Sequence, residues 1–206
     1  MSKARFKSLL LFGPPGVGKG TQGKILSTVP GLFHLSTGDV FRSLDVGSVD
    51  GQEVSKTISR GELVPDDLTI RIWRKGLDGL IAMSRYKPHE DILVLDGIPR
   101  SVPQAELLKE HIDVLGIVYL ECSAENAMIT RIKRRAIKEN RADDANEEVI
   151  RRRYEIYHNE SAPVLDCYSK DLISRVDAMG SPAEVLQQIL AYVIPIQNAH
   201  FHGEDG

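Results

Sequence analysis

Residues 13–21 read GPPGVGKGT, directly after the apolar run Ser8–Phe12 and before a segment, 22–28, with helical character. A buried strand that leads into a glycine-rich loop and then a helix gathers backbone N–H groups and the positive helix end around one point. Lys19 adds a mobile cation. The spacing is that of a phosphate-binding loop, although the hydroxyl that usually follows the lysine comes one residue later, at Thr21. The stretch therefore predicts a site for phosphate groups at the end of a strand.

Two other interpretations of this stretch are weaker. Residues 18–23 also match the dinucleotide fingerprint G-x-G-x-x-G, but that pattern is common by itself and leaves Lys19 unexplained. A structural turn without a ligand would not need two prolines, four glycines and a lysine between a strand and a helix. The phosphate-binding loop accounts for all of these residues.

Short apolar runs recur along the chain, with helical segments between them. They lie at 9–12, 32–35, 92–95, 116–120 and 172–176. Because the runs show little polar alternation, they indicate strands buried on both faces, as in a parallel α/β sheet covered by helices. Ligands bind to such sheets where the strands end, so the loops after the strands are expected to carry the chemistry.

The regions between and after the strands also have predicted structures. The segment 38–90 is too long for one crossover helix and predicts a small helical insertion, followed by a helix over about 66–83. Trp73 lies on the apolar stripe of that helix, which favours a core position over a platform for stacking on a base. A last helix over 182–193 closes the core, and the polar residues 195–206 are predicted to be a frayed tail.

The composition is that of a globular protein whose partners are small molecules. Hydrophobic residues make up 42% and charged residues 27% of 206 residues, the net charge is −3, and the pI is near 6.1. This charge argues against a nucleic-acid-binding domain, and no apolar stretch approaches the ~20 residues of a membrane span. The only cysteines, Cys122 and Cys167, are expected to be reduced thiols. We therefore expect a soluble cytoplasmic protein.

Two further strand ends carry charged groups. The strand at 92–95 ends in Asp96, a carboxylate placed to hold Mg²⁺ directly or through water, or else only to cap the next turn. Arg100 follows after a proline bend, and Arg42 follows the strand end at 36–39 by one helical turn. Two guanidinium groups from neighbouring loops can clamp one phosphate. The chain thus predicts two phosphate sites.

Basic residues are concentrated on one helical segment. They are Arg131, Lys133, Arg134, Arg135, Lys138 and Arg141. Arg131 and Arg135 share a helix face, where like charges repel unless an anion lies between them, so a polyphosphate is one expected occupant. The other interpretation is a solvated basic face or a nucleic-acid patch. Of Arg151, Arg152 and Arg153, a helix is expected to turn only one inward.

Together these motifs resemble those of the adenylate kinases, within the nucleoside monophosphate kinases, over nearly the whole chain. Residues 13–21 are similar to the nucleotide loop of the family, and residues 141–144 are similar to the end of its lid. The acceptor motif is matched by Ser36-Thr37-Gly38-Asp39 with Arg42, and the third signature by Asp96-Gly97-Ile98-Pro99-Arg100 with Gln104.

The resemblance implies a fold and an activity. The fold is a P-loop three-layer sandwich with a five-stranded parallel sheet, a helical acceptor-binding insertion at 36–65 and a short lid at 134–144. The activity is reversible phosphoryl transfer, ATP + AMP = 2 ADP, by a monomer that uses Mg²⁺. The short lid contains no cysteine, so structural zinc is not expected.

The resemblance also implies roles for individual residues. The residues implied to bind ATP are Gly16, Val17, Gly18, Lys19, Gly20, Thr21, Arg131, Arg135 and Gly180. The residues implied to bind AMP are Thr37, Arg42, Glu62, Leu63, Val64, Gly97, Ile98, Pro99, Arg100, Gln104, Arg141 and Arg153. The implied catalytic residues are Lys19, Arg100, Arg135, Arg141 and Arg153, and Asp96 is the implied metal ligand.

The chain departs from the family pattern at three positions. Ile98 replaces the usual phenylalanine of the third signature, an apolar exchange. Ala178 stands where a glycine is usual, close to the implied contact of Gly180 with the ATP base. Ala145 is an extra residue, which leaves the choice of Arg153 over its neighbours open by one position.

Two other functions fit part of this pattern. The related uridylate and cytidylate kinases usually carry alanine at the position of Thr37 and asparagine at that of Ser101. The hydroxyl of Thr37 and the paired donor and acceptor of Gln104 instead favour a purine acceptor. A sensor that binds ATP and AMP without transfer would not need the complete set of basic residues.

Overall fold

The computed structural model describes residues 5–139, 144 and 146–202. Five parallel strands form one sheet in the order β2-β3-β1-β4-β5. Their bounds are Phe6–Phe12 for β1, Leu32–Ser36 for β2, Ile92–Asp96 for β3, Ile112–Glu121 for β4 and Ile173–Asp177 for β5. Each predicted apolar run is confirmed as a strand, and β1 and β4 begin a few residues before their runs.

Helices connect the strands. In the described ranges the α-helices are α1 Lys19–Leu26, α2 Thr37–Arg42, α3 Val49–Ser59, α4 Asp66–Ala82, α5 Val102–Leu108, α6 Glu125–Glu139, α7 Glu147–Ile156 and α8 Pro182–His202. Between α7 and β5 the chain forms a π-helical turn, Tyr157–Ser161, and two short 3₁₀ segments, Ala162–Cys167 and Lys170–Leu172. None of the helices within these ranges has the length and apolar character needed to cross a membrane.

The sheet separates two hydrophobic cores. Leu9 and Leu11 of β1 belong to the core covered by α1, α6, α7 and α8, whereas Leu10 and Phe12 belong to the core covered by α4 and α5. Because helices cover both faces, the strands are apolar on both sides, which explains their lack of alternation. Trp73 is fully buried in the second core, so its predicted core position is confirmed. The predicted three-layer α/β sandwich is confirmed.

The prediction of a frayed tail from residue 195 is wrong for the described part of that segment. α8 continues past Pro195 to its end, although a proline inside a helix removes one backbone hydrogen bond. Tertiary contacts beyond Pro195 offset the lost backbone hydrogen bond. Gln197 Nε2 donates to the carbonyl oxygen of Pro30 at 2.7 Å, and His200 is buried. Residues 203–206 lie outside the described residues.

Candidate active site

A cavity of about 950 Å³ lies at the carboxyl edge of the sheet. This volume is at the upper end of the range for small-molecule sites. Because all five strands are parallel, the motifs that follow them meet at this one edge. The cavity is lined by the phosphate loop, the start of α2, residues 61–64, the end of β3 with its following loop, one face of α6, Arg153 and the start of α8.

The phosphate loop has a backbone that only glycine adopts without strain. Gly13, Gly16 and Gly18 have φ values of 139°, 79° and 114°. A Cβ atom added at Gly13 would lie 2.4 Å from the carbonyl oxygen of Leu120, so the loop also packs too closely against β4 for a side chain. The helix after the loop begins at Lys19, three residues earlier than predicted, because the glycine-rich turn closes directly into α1.

Lys19 is half-buried and lines the cavity beside this loop. Its Nζ donates to the carbonyl oxygens of Gly13 at 2.6 Å and Pro14 at 3.0 Å. Burial lowers the pKa of Lys19 to about 8; the carboxylate of Asp96 opposes this shift, and nearby arginines, of which Arg100 is the strongest, add to it. The ammonium therefore lies in a partly desolvated, positively charged environment, in which an anionic ligand would be stabilised.

Asp96 ends β3 on the floor of the cavity and is buried. Its Oδ2 lies 3.7 Å from Nε2 of His34, and a Cβ atom added at Gly20 would lie 3.5 Å from the same oxygen. Burial by itself would raise the pKa of Asp96, but the nearby His34, Lys19 and Arg100 outweigh it and hold the pKa below its usual value. Asp96 is thus an ionised carboxylate directly beneath the phosphate loop.

The structure brings Arg42 and Arg100 into the same cavity. Nη2 of Arg42 donates to Oδ1 of Asp39 at 2.6 Å, and Nε of Arg100 donates to the carbonyl oxygen of Gly97 at 2.9 Å. Burial lowers the pKa of Arg100 to about 10, and the positive charge of Arg153 adds to the shift. Guanidinium groups that line one cavity and raise the free energy of one another's charged form favour an anion between them.

Of the residues predicted to surround the acceptor base, residues 62–64 and Gln104 line the cavity, whereas Thr37 is not among the lining residues. Thr37 is buried, and its hydroxyl has no hydrogen-bond partner within the described residues. Oε1 of Gln104 accepts from the backbone N–H of Arg100 at 2.8 Å, so the oxygen assigned to a base edge also fixes the arginine loop.

The third signature divides between the cavity and the core. Gly97 and Pro99 line the cavity, but Ile98 packs in the core formed with α4 and α5. This burial explains why an apolar residue suffices at this position. The structure therefore supports a packing role for the Ile98 side chain and does not place it among the cavity-lining residues.

Asp144 connects two of the predicted catalytic arginines and is completely buried. Its Oδ2 accepts from Nε of Arg135 at 2.9 Å, and its Oδ1 accepts from Nη1 of Arg153. Arg151 and Arg152 instead form ion pairs at the surface, so the helix turns only Arg153 inward. The sequence pattern placed Asp144 at the end of the predicted lid but predicted no function for its side chain.

Only part of the predicted lid lies in the described ranges. Residues 134–139 are the last turns of α6, and Asp144 is described as well. Residues 140–143 and 145 lie outside the described residues, and so does the predicted role of Arg141.

At the other end of the cavity, Arg131 meets the loop between β5 and α8. Its Nη1 lies 3.4 Å from the carbonyl oxygen of Ala178, and the backbone N–H of Ala178 donates to the carbonyl oxygen of Glu121 at 2.9 Å. Gly180 lines the cavity two residues later. The alanine at position 178 therefore does not remove this loop from the cavity.

The cavity beside the phosphate loop is lined by Lys19 and several arginines. Such a concentration of positive charge suits the transfer of a phosphoryl group between two phosphorylated substrates. The parallel sheet and this site together define a P-loop phosphotransferase.

Comparison with known proteins identifies the family. The adenylate kinase family matches residues 11–173. An adenylate kinase of Synechococcus sp. (strain WH7803) is 42% identical over 190 residues, which cover 89% of this chain and 96% of that protein. An adenylate kinase of Thermus thermophilus is 37% identical over 192 residues, with 90% and 96% covered. The chain belongs to the adenylate kinase family.

Family membership confirms two predictions about function. The chain is a nucleoside monophosphate kinase, and its reaction is the adenylate kinase phosphoryl transfer. It also decides between the alternatives drawn from the sequence, because the matched family is that of adenylate kinases and not that of pyrimidine monophosphate kinases or of nucleotide sensors.

Proposed function

We propose that the cavity binds Mg²⁺·ATP at the phosphate loop and AMP between Arg42 and Arg100, and that it transfers the γ-phosphoryl group directly between them. The observation that carries this proposal is the position of Arg100. It lines the same cavity as Lys19 and Arg42, and its positive charge interacts with the charges of both. The cations assigned to the two nucleotides therefore line one cavity, in which the transferred group would lie between the two substrates.

The remaining assignments follow from this placement. On the donor side, residues 16–21 hold the ATP phosphates, and Arg131 and Gly180 flank the base. On the acceptor side, Thr37, residues 62–64 and Gln104 surround the adenine of AMP, next to Gly97 and Pro99. Arg135, Arg141 and Arg153 approach the transferring group. In this proposal 36–65 is the acceptor-binding insertion and 134–144 is the lid.

The mechanism needs alignment and positive charge more than a base. An oxygen of the AMP phosphate is already anionic, so no side chain has to remove a proton from it. Lys19 and Arg100 stabilise the charge that develops on the transferred group, and Asp144 positions the guanidinium groups of Arg135 and Arg153 beside them. Enclosure of the cavity by the insertion and the lid would exclude water, which otherwise competes as acceptor.

Asp96 is the residue that we propose holds Mg²⁺. The family normally uses this ion with ATP, and the ion supplies neutralisation of charge on the phosphates. Magnesium sites with nucleotides commonly use one or two carboxylates together with phosphate oxygens and water. A buried, ionised Asp96 next to Gly20 of the phosphate loop fits this requirement.

The metal assignment predicts a change in the magnesium requirement. We expect Asp96→Asn to raise the Mg²⁺ concentration for half-maximal activity by about tenfold, because a charge-assisted contact is replaced by a neutral one. The measurement is initial rate against free Mg²⁺ at saturating ATP and AMP. Asp113→Asn is the matched control, because Asp113 is a residue of β4 with an exposed side chain. An unchanged magnesium curve for Asp96→Asn would remove Asp96 from the metal site.

The two-site proposal predicts opposite kinetic effects for two arginines. We expect Arg42→Ala to raise KM for AMP by about tenfold to a hundredfold and to leave KM for ATP within about twofold, because one charged contact with the acceptor phosphate is lost. We expect Arg131→Ala to raise KM for ATP and to leave KM for AMP within about twofold. Initial rates with each substrate varied at saturation of the other give both constants.

Arg151→Ala is the control for this pair, because Arg151 is exposed and its ion pair with Glu147 lies at the surface. If Arg42→Ala and Arg131→Ala raise the same KM, the division of the cavity into donor and acceptor sides is wrong.

We also propose that the enzyme acts as a monomer in the cytoplasm. All the groups assigned to the two nucleotides come from one chain. Cys122 and Cys167 are free thiols, which suits a reducing compartment. Sedimentation at micromolar concentration, with and without nucleotides, tests the oligomeric state.

A further inference from the structure

The side chain of Gln22 connects the helix of the phosphate loop to the first residue of α8, directly after the loop that contains Gly180. Gln22 lies in the first turn of α1, three residues after Lys19, and is 3% exposed. Its Nε2 donates to the carbonyl oxygen of Pro182 at 3.0 Å. Gln22, Gly180 and Pro182 all line the central cavity. The amide thus links the segment that holds phosphates to the segment proposed to meet the donor base.

The other half of this amide has no partner. Oε1 of Gln22 is buried and forms no hydrogen bond within the described residues. The orientation of the amide is determined by its neighbour, because the carbonyl oxygen of Pro182 only accepts and Nε2 must therefore face it. A buried acceptor without a partner is destabilising, whereas a methionine of similar length would pack here without one. Core packing alone therefore does not explain a glutamine at this position.

The loop beside the proposed donor base is held at both ends. At its start, Ala178 is fixed by the backbone of β4 and contacted by Arg131. At its end, Gln22 holds the carbonyl oxygen of Pro182. Gly180 lies between these two attachments, so its distance from the phosphate loop depends on both. Gln22 is the attachment that reaches directly to the phosphate-loop helix.

We propose that Gln22 is a positioning residue for the donor base. Its amide sets the spacing between the phosphate loop and the loop that contains Gly180, so that the triphosphate and the base of ATP are accommodated together. The inference rests on the proposed placement of the donor base beside Gly180. It distinguishes two kinds of ligand: a nucleotide needs this spacing, and a polyphosphate without a base does not.

The test compares ATP with inorganic tripolyphosphate as ligands of the full chain, by titration calorimetry. We expect Gln22→Met to raise the Kd for ATP about three- to tenfold, the effect of one lost hydrogen bond, and to change the Kd for tripolyphosphate less than about twofold. In steady-state kinetics KM for ATP rises and KM for AMP does not.

Gln188→Met is the matched control, because Gln188 is exposed on α8 and the same exchange there leaves the linking hydrogen bond intact. Partial unfolding of a variant reduces the apparent affinity for both ligands by the same factor, so the ratio of the two Kd values still reports positioning. Equal weakening of both ligands, or an unchanged Kd for ATP, overturns the inference.

A Lys19→Met variant separates this inference from the proposed function. If Lys19→Met binds tripolyphosphate as the unsubstituted protein does, the donor site itself is misplaced. If Lys19→Met loses tripolyphosphate while Gln22→Met keeps full affinity for ATP, only the inference about Gln22 is wrong.

Discussion

Replacement of Lys19 by methionine is expected to lower kcat by about two to four orders of magnitude and to leave the fold intact. The loss follows from the position of Nζ at the mouth of the phosphate loop, where a fixed positive charge stabilises charge that develops on the transferred phosphoryl group. Burial lowers the pKa of Lys19 to about 8, which means that the folded protein without ligand destabilises the charged form of this side chain. Removal of the charge should therefore not reduce stability.

The measurements are single-turnover formation of ADP from ATP and AMP, and thermal unfolding of the same sample. Lys75→Met is the matched control, because Lys75 is exposed on α4, away from the lining of the cavity. Near-full kcat for Lys19→Met would contradict the assignment of the phosphate loop as the donor site. A large fall in melting temperature would instead indicate that Lys19 is structural.

Replacement of Arg100 by alanine is expected to have an effect of similar size, about two to four orders of magnitude in kcat. Arg100 is half-buried and lines the cavity together with Lys19 and Arg42, and its positive charge interacts with the charges of both. Its loss removes both a contact with the acceptor phosphate and stabilisation of the transferred group. KM for AMP is expected to rise at the same time.

Two further variants sharpen this prediction. Arg100→Lys keeps the charge but not the planar fork of donors, so it is expected to recover only a small part of the lost activity. Arg85→Ala, at an exposed position, is the control for loss of an arginine. A high kcat for Arg100→Ala, with KM for AMP unchanged, would show that the acceptor phosphate binds elsewhere.

Contacts within the protein also stabilise the positively charged side chains of the site when no nucleotide is bound. In the described structure, Asp144 accepts from both Arg135 and Arg153, and Lys19 donates to carbonyl oxygens of its own loop. Several of the positive groups proposed for catalysis thus have partners within the protein. Because buried charges without partners are costly, these contacts let the fold keep a concentrated positive site before nucleotides enter.

Family, strand positions and the main motifs could be predicted because each depends on residues close together in the chain. The phosphate loop needs its glycines and Lys19 within nine residues, and Asp96 follows its strand directly. Parallel strands end at one edge of a sheet, so the predicted strands also brought Arg42 and Arg100 to one cavity. Burial of Trp73 followed from helical spacing in the same way.

The sequence by itself thus determined the order of elements and the local geometry of the phosphate loop, because both depend on short-range pattern and backbone conformation. Tertiary structure alone decided which of three adjacent arginines turns inward to Asp144, and that α8 continues past Pro195. It also decided that Gln22 meets Pro182, 160 residues away. Such contacts depend on how separate elements pack, and packing energies between distant residues leave no periodic signal along the chain.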